Sequence, residues 1–190
     1  RHNGLAAGLR RGEDERMRAS LIVFALCAGL AVQPGRTQPG VPVRGTVVVV
    51  NQQSDSVTLI DLATLEAYRH VPVVGGPHEA AVSPDGGLVL VTNYNKQGIG
   101  QQKTLSLIAL PSGDTVKTID LGEYRAPHDV RWVDASRVVV TVEGSQALLL
   151  VNVTTGAVER VFKTGLAVSH MLALSTDRTR LYCSNMRDGS

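Results

Sequence analysis

Three histidines stand at matched places in this chain. His78, His128 and His170 each precede a polar residue, Asn93, Glu143 and Asn185, by the same 15 positions. Imidazole suits two kinds of chemistry: it is a common metal ligand when neutral, and it carries one donor and one acceptor for orienting a polar ligand. Glu79, Asp129 and Glu143 would supply negative charge beside the rings. The residues leave three uses open. His78, His128 and His170 form a metal site; or the ring of imidazoles orients a small anion or lactone; or each His and Asn ties neighbouring loops together by hydrogen bonds, once per repeat. There is no local His-x-His pair, so a single ion is reached only if side chains from separate segments converge. No Gly-x-Ser-x-Gly, His-Glu-x-x-His or phosphate-loop pattern is present. Catalytic residues and cofactor therefore stay unassigned.

The elements that position these residues are short strands. Residues 77–93 read as one hairpin: an apolar strand, the turn Ser83-Pro84-Asp85-Gly86, and a second strand ending in Asn93. Pro127-His128-Asp129-Val130 opens a second version and Ser169-His170-Met171-Leu172 a third. The histidines recur after 50 and 42 residues, and Asn51, Asn93, Glu143 and Asn185 follow at 42, 50 and 42. Four short strands in each period of roughly 40–50 residues is the mark of a β-propeller blade. Pairing about each turn predicts that His78 faces Asn93, His128 faces Glu143 and His170 faces Asn185, within one residue for a bulge. All six then stand at one mouth of the central channel, overhung by a polar insertion at Tyr94–Lys103.

These residues carry a resemblance. The strand ends Leu90-Val91-Thr92-Asn93 and Leu181-Tyr182-Cys183-Ser184-Asn185, the stretch Ala80-Ala81-Val82-Ser83-Pro84-Asp85-Gly86 and Leu59-Ile60-Asp61-Leu62 resemble the YVTN-type β-propeller repeat. The likeness covers about residues 46–190. It is weaker in the second round, where 131–136 replace the Ser-Pro-Asp-Gly turn and Glu143 the Asn. It implies an extracytoplasmic propeller of the lactonase-like and amine-dehydrogenase-like superfamily, with relatives that include lactonases and subunits of quinone-linked dehydrogenases. The expected fold is all-β: four-stranded antiparallel blades, here an incomplete, open arc of about three and a half. Strand counting predicts a piece of a longer protein.

The composition is that of a chain neither disordered nor membrane-embedded throughout. The 190 residues are 43% hydrophobic and 19% charged, with a net charge of +2 and few aromatics. No basic stripe with interleaved aromatics points to nucleic acid. Met17-Arg18 followed by the apolar run Leu21–Ala31 has the layout of a secretory signal peptide, too short to span a bilayer, which takes about 20 residues. The expected organisation is an extension over 1–16, a signal peptide over 17–31, a disordered linker over 32–44 and the truncated propeller domain over 45–190. Export to the periplasm or exterior follows, with no stable membrane span after cleavage. Two cysteines, Cys27 and Cys183, make no disulfide framework. The leading expectation is an exported binding or scaffold module that takes a small-molecule or protein ligand at the mouth. The alternative is a lactonase-like or redox-associated propeller enzyme with its site there.

Overall fold

A computed structural model describes residues 43–190. The extension, signal peptide and Cys27 lie outside the described residues, as does the linker except for its last two positions. Thirteen strands follow one another, all in antiparallel pairs. The first sheet holds β1 (Thr46–Asn51), β2 (Ser56–Asp61) and β3 (Ala67–Pro72). The second holds β4 (Pro77–Val82), β5 (Leu88–Lys96), β6 (Gly100–Ala109) and β7 (Thr115–Asp120). The third holds β8 (Pro127–Trp132), β9 (Arg137–Val142), β10 (Ala147–Asn152) and β11 (Val158–Lys163). The fourth holds β12 (Ser169–Leu174) and β13 (Leu181–Asn185). This is the expected arc: two full blades between two partial ones, open at both ends among the described residues.

The continuous apolar runs are explained by burial on both faces. Successive side chains of a strand point to opposite faces. In β5, Val89 and Val91 pack against Val57, Leu59 and Val71 of the first sheet. Leu90, between them, packs with Val130, Trp132 and Val140 of the third sheet. In β9, Val138, Val140 and Val142 face the second sheet while Val139 joins Leu172 of the fourth. Each such fully buried Val or Leu contributes about 1.5–3 kcal/mol. Trp132 closes one seam by donating its indole N–H to the Ala81 carbonyl at 2.9 Å.

The hairpin turns carry their own chemistry. Ser83 Oγ donates to Asp85 Oδ1 at 2.6 Å and accepts from the Leu88 N–H at 2.9 Å. Ser175 repeats this with Asp177 and Arg180 at 2.6 and 3.0 Å. The turn between β8 and β9 differs. Asp134 accepts from the N–H groups of Ser136 and Arg137, both at 2.9 Å, and holds the Arg137 guanidinium. The Ser136 N–H and the Arg137 side chain hold its carboxyl down at about 2. That turn, 133–137, is one residue shorter than 83–88.

The missing residue changes the register. Asn93 pairs with Pro77 and Asn185 with Ser169, one position from the expected His partners. In the third sheet it is Val142, not Glu143, that pairs with Pro127. The expected His128–Glu143 facing pair is therefore displaced, and Glu143 stands instead at the position of Tyr94 and Met186. A repeated backbone bond fixes this equivalence: the N–H groups of Tyr94, Glu143 and Met186 donate to the carbonyls of Gly76, Ala126 and Val168 at 2.8, 3.0 and 3.0 Å. Those three acceptors all have left-handed backbone, with φ of 55°, 54° and 59°. At Gly76 the need is steric as well, since a Cβ there would sit 2.0 Å from the Asn95 carbonyl oxygen.

Candidate site where three inner strands begin

The histidines stand at the second residue of β4, β8 and β12, the inner strands of three successive sheets. Two threonines set their spacing. Thr92 Oγ1 accepts from the Glu79 N–H within its own hairpin and donates across to the His128 carbonyl at 2.8 Å. Thr141 Oγ1 accepts from the Asp129 N–H and donates to the His170 carbonyl at 2.9 Å. One hydroxyl per hairpin thus fastens the next inner strand at its histidine.

This brings the rings into contact. The centroids of His78 and His128 lie 4.3 Å apart, edge to face, and those of His128 and His170 lie 4.0 Å apart. Side chains from three separate segments thus converge. Tyr94 packs against the His78 ring at 5.0 Å. Its hydroxyl donates to Glu143 Oε2 at 2.6 Å, and His170 Nδ1 lies 2.5 Å from Glu143 Oε1. His128 Nε2 stands 4.0 Å from the same Oε1. The Glu143 side chain is only 7% exposed.

Burial governs the protonation of this group. Desolvation pushes the His128 imidazole down from 6.5 to about 4; the Glu143 carboxylate opposes the shift, and the neighbouring His78 and His170 rings add to it. His128 is a neutral ring at pH 7. Tyr94 is pushed up to about 12, by burial first and then by its bond to Glu143, so it remains a donor. His128 Nδ1 is buried with no hydrogen-bond partner, and among the described residues Nε2 has none either. His128, Glu143 and His170 offer three donor atoms within 4.8 Å of one another, the spacing of a metal-binding group. His78 is not one of the three.

Of the six residues expected at the mouth, four gather and two do not. Asn93 Nδ2 donates to Thr104 and Ser106 at 2.9 and 3.0 Å. Asn51 does the same with Ser56 and Thr58 in the first sheet. Asn185 bonds to Ser169 at 3.1 Å. The asparagines thus fasten hairpins from within, and the cluster is His78, His128, Glu143 and His170 with Tyr94. Asp129, expected beside the rings, faces the other way. It is fully buried, accepts from the Leu172 N–H at 2.7 Å and the Val130 N–H at 2.7 Å, and pairs with Arg131 at 2.6 Å. The polar insertion is an extension of the β5–β6 hairpin, pairing Asn95 with Gln101 and Lys96 with Gly100. Lys96 bonds Asp55 at 2.7 Å beside a polar cleft of about 440 Å³, whose lining includes none of the cluster. Cys183 is a half-buried free thiol that burial pushes up.

Against known proteins, the model of the YNCE-like β-propeller family matches residues 37–137, more than half of the chain. The chain belongs to this family. Membership agrees with the YVTN-type repeat in the sequence and with the blades described above. No curated protein sequence matches the chain. Among solved structures, hydrazine synthase of Kuenenia stuttgartiensis is similar over 80% of this chain, at 21% identity and a TM-score of 0.64. A functionally unknown protein from Desulfotomaculum acetoxidans DSM 771 is similar over 74%, at 9% identity and a TM-score of 0.61. Both likenesses are of fold. This YNCE-like chain spans less than half of either solved chain, 44% and 45%.

Proposed function

We propose that the chain is part of an exported propeller that works as a binding module, with its ligand held where His78, His128 and His170 meet. One observation carries this reading. In His128, a ring buried among two others, Nδ1 is buried with no hydrogen-bond partner, while Nε2 stands 4.0 Å from Glu143 Oε1. Buried polar groups in folded proteins are almost always partnered, and an unpartnered one costs about 1–3 kcal/mol. A side chain that only tied loops together would show the bonds that do the tying, as Asn93 shows through Nδ2, although its Oδ1 is also buried without a partner.

The test follows from that difference. His128→Leu in the full-length protein should unfold within about 1 kcal/mol of wild type, because an apolar ring-sized group loses no hydrogen bond. A loss above roughly 2 kcal/mol would mean the histidine is a structural tie after all. Export is supported by the basic-then-apolar layout of 17–31. It is tested by the N-terminal mass of the mature protein, which should lack 21–28.

The second reading, a lactonase-like or redox-associated enzyme, has its own support. Glu143 is gripped between Tyr94 and His170, as a general base or ligand is. Turnover of a lactone panel by wild type, abolished in Glu143→Gln, would favour it.

A further inference from the structure

This inference rests on the binding reading and names the ligand. We propose that His128, Glu143 and His170 form a site for one divalent transition-metal ion of the kind imidazole prefers, with zinc as the reference case.

The donor set is two imidazoles and a carboxylate, a combination that suits zinc and copper rather than calcium or magnesium. Bonds of about 2.0–2.1 Å in tetrahedral geometry place donors about 3.3–3.4 Å apart. The observed separations bracket that distance: His170 Nδ1 to Glu143 Oε1 is 2.5 Å and His128 Nε2 to Glu143 Oε1 is 4.0 Å. An ion between them would part the first pair and draw in the second, each by less than about 1 Å, within the reach of side-chain rotation.

The ion takes the place of the hydrogen between His170 Nδ1 and Glu143. In the neutral ring that hydrogen passes to Nε2, leaving the Nδ1 lone pair for the metal. His128 Nε2, which makes no hydrogen bond among the described residues, gains a partner, and the ring's hydrogen stays on Nδ1. Tyr94 already serves the arrangement from outside: its hydroxyl occupies Glu143 Oε2 and leaves Oε1 free for the ion. Three protein donors leave a fourth position open for water or for whatever the module binds.

The register explains why these residues are the donors. The short 133–137 turn brings Glu143, not an asparagine, to the position that Tyr94 and Met186 hold in the neighbouring hairpins. Of these three equivalent positions only this one carries a carboxylate, and it falls beside the two rings that are 4.0 Å apart.

The experiment uses the metal-stripped full-length protein, titrated with Zn²⁺ by calorimetry and with Co²⁺ by visible absorption. One ion per chain should bind, with tetrahedral Co²⁺ bands, and excess Ca²⁺ or Mg²⁺ should not displace it. Glu143→Gln and His170→Ala should each weaken binding at least about 100-fold, since even outer partners of metal ligands are worth 10–100-fold. His70→Ala, on the outer strand β3, should change nothing. Tyr94→Phe keeps all three donors and should weaken binding by about 10–100-fold, so the test survives if a ligand variant fails to fold. No stoichiometric binding, or binding indifferent to these substitutions, overturns the proposal. If zinc fails to bind while His128→Leu remains as stable as wild type, the metal is wrong and the mouth serves another ligand. If His128→Leu unfolds, the binding reading itself falls.

Discussion

Asp129 offers the sharpest test of how the blades are joined. Its carboxylate is fully buried at the start of β8, and it accepts the Leu172 N–H from the next sheet at 2.7 Å. It also accepts the Val130 N–H at 2.7 Å and pairs with Arg131 at 2.6 Å. Asp129→Ala removes the acceptor for two backbone donors in the buried residues Val130 and Leu172. A hydrogen bond to a charged group contributes about 1.5–3 kcal/mol, and a buried donor left bare costs about 1–3. The Arg131 side chain is 37% exposed, so its share is small, below about 1 kcal/mol. The sum is a loss of about 3–5 kcal/mol. Asp129→Asn keeps one uncharged acceptor, for either Val130 or Leu172, and turns its NH₂ toward the other N–H, and should lose about 2 kcal/mol. Urea denaturation reads this through Trp132, the one tryptophan of these 190 residues, which sits at the seam between the second and third sheets. A loss below about 1 kcal/mol in Asp129→Ala would refute the claim that this carboxylate clamps the third sheet to the fourth.

Three further outcomes are expected. Gly76→Ala should cost about 3 kcal/mol, read as a lowered urea midpoint, because the added Cβ meets the Asn95 carbonyl at 2.0 Å on a left-handed backbone. Val168→Gly should raise stability by about 1 kcal/mol in the same assay, since a β-branched residue at φ 59° is strained and glycine is not. His128, held down at about 4 against an ordinary 6.5, binds its proton more readily in the unfolded chain. Stability of the metal-free protein should therefore fall as pH drops from about 6.5 toward 4, and His128→Leu should remove that part of the slope.

Much of the fold can be read in the sequence because a propeller repeats its signals. The apolar runs and the histidines each recur, the Ser-x-Asp turn of 83–85 returns at 175–177, and each recurrence corresponds to a hairpin in the structure. The site was legible only in part, and the reason is register. Counting from each histidine gives 15 residues to Asn93, Glu143 and Asn185 alike. That equality hides the residue missing from the turn at 133–137, where Asp134 caps the backbone N–H groups of Ser136 and Arg137. The true counterpart of Glu143 is Tyr94, which looked like the start of a loop because the polar residues after it conceal a strand that continues to Lys96. The asparagines recur as faithfully as the histidines, but recurrence does not say which way a side chain turns. Asn93 reaches hydroxyls on β6 that are known only once the pairing is known. Asp129 likewise sits beside a histidine in sequence, but its carboxylate goes to the Leu172 and Val130 N–H groups and Arg131, since successive side chains of a strand point to opposite faces.

The proposed site requires that His128, His170 and Glu143 converge on one ion. X-ray absorption at the zinc edge, on the full-length protein carrying one equivalent of Zn²⁺, measures that convergence directly. The expected spectrum shows two imidazole nitrogens and a carboxylate oxygen at about 2.0–2.1 Å from the zinc, with one imidazole lost in His170→Ala. A shell of water alone, a sulfur at about 2.3 Å, or a spectrum unchanged by that substitution would contradict it.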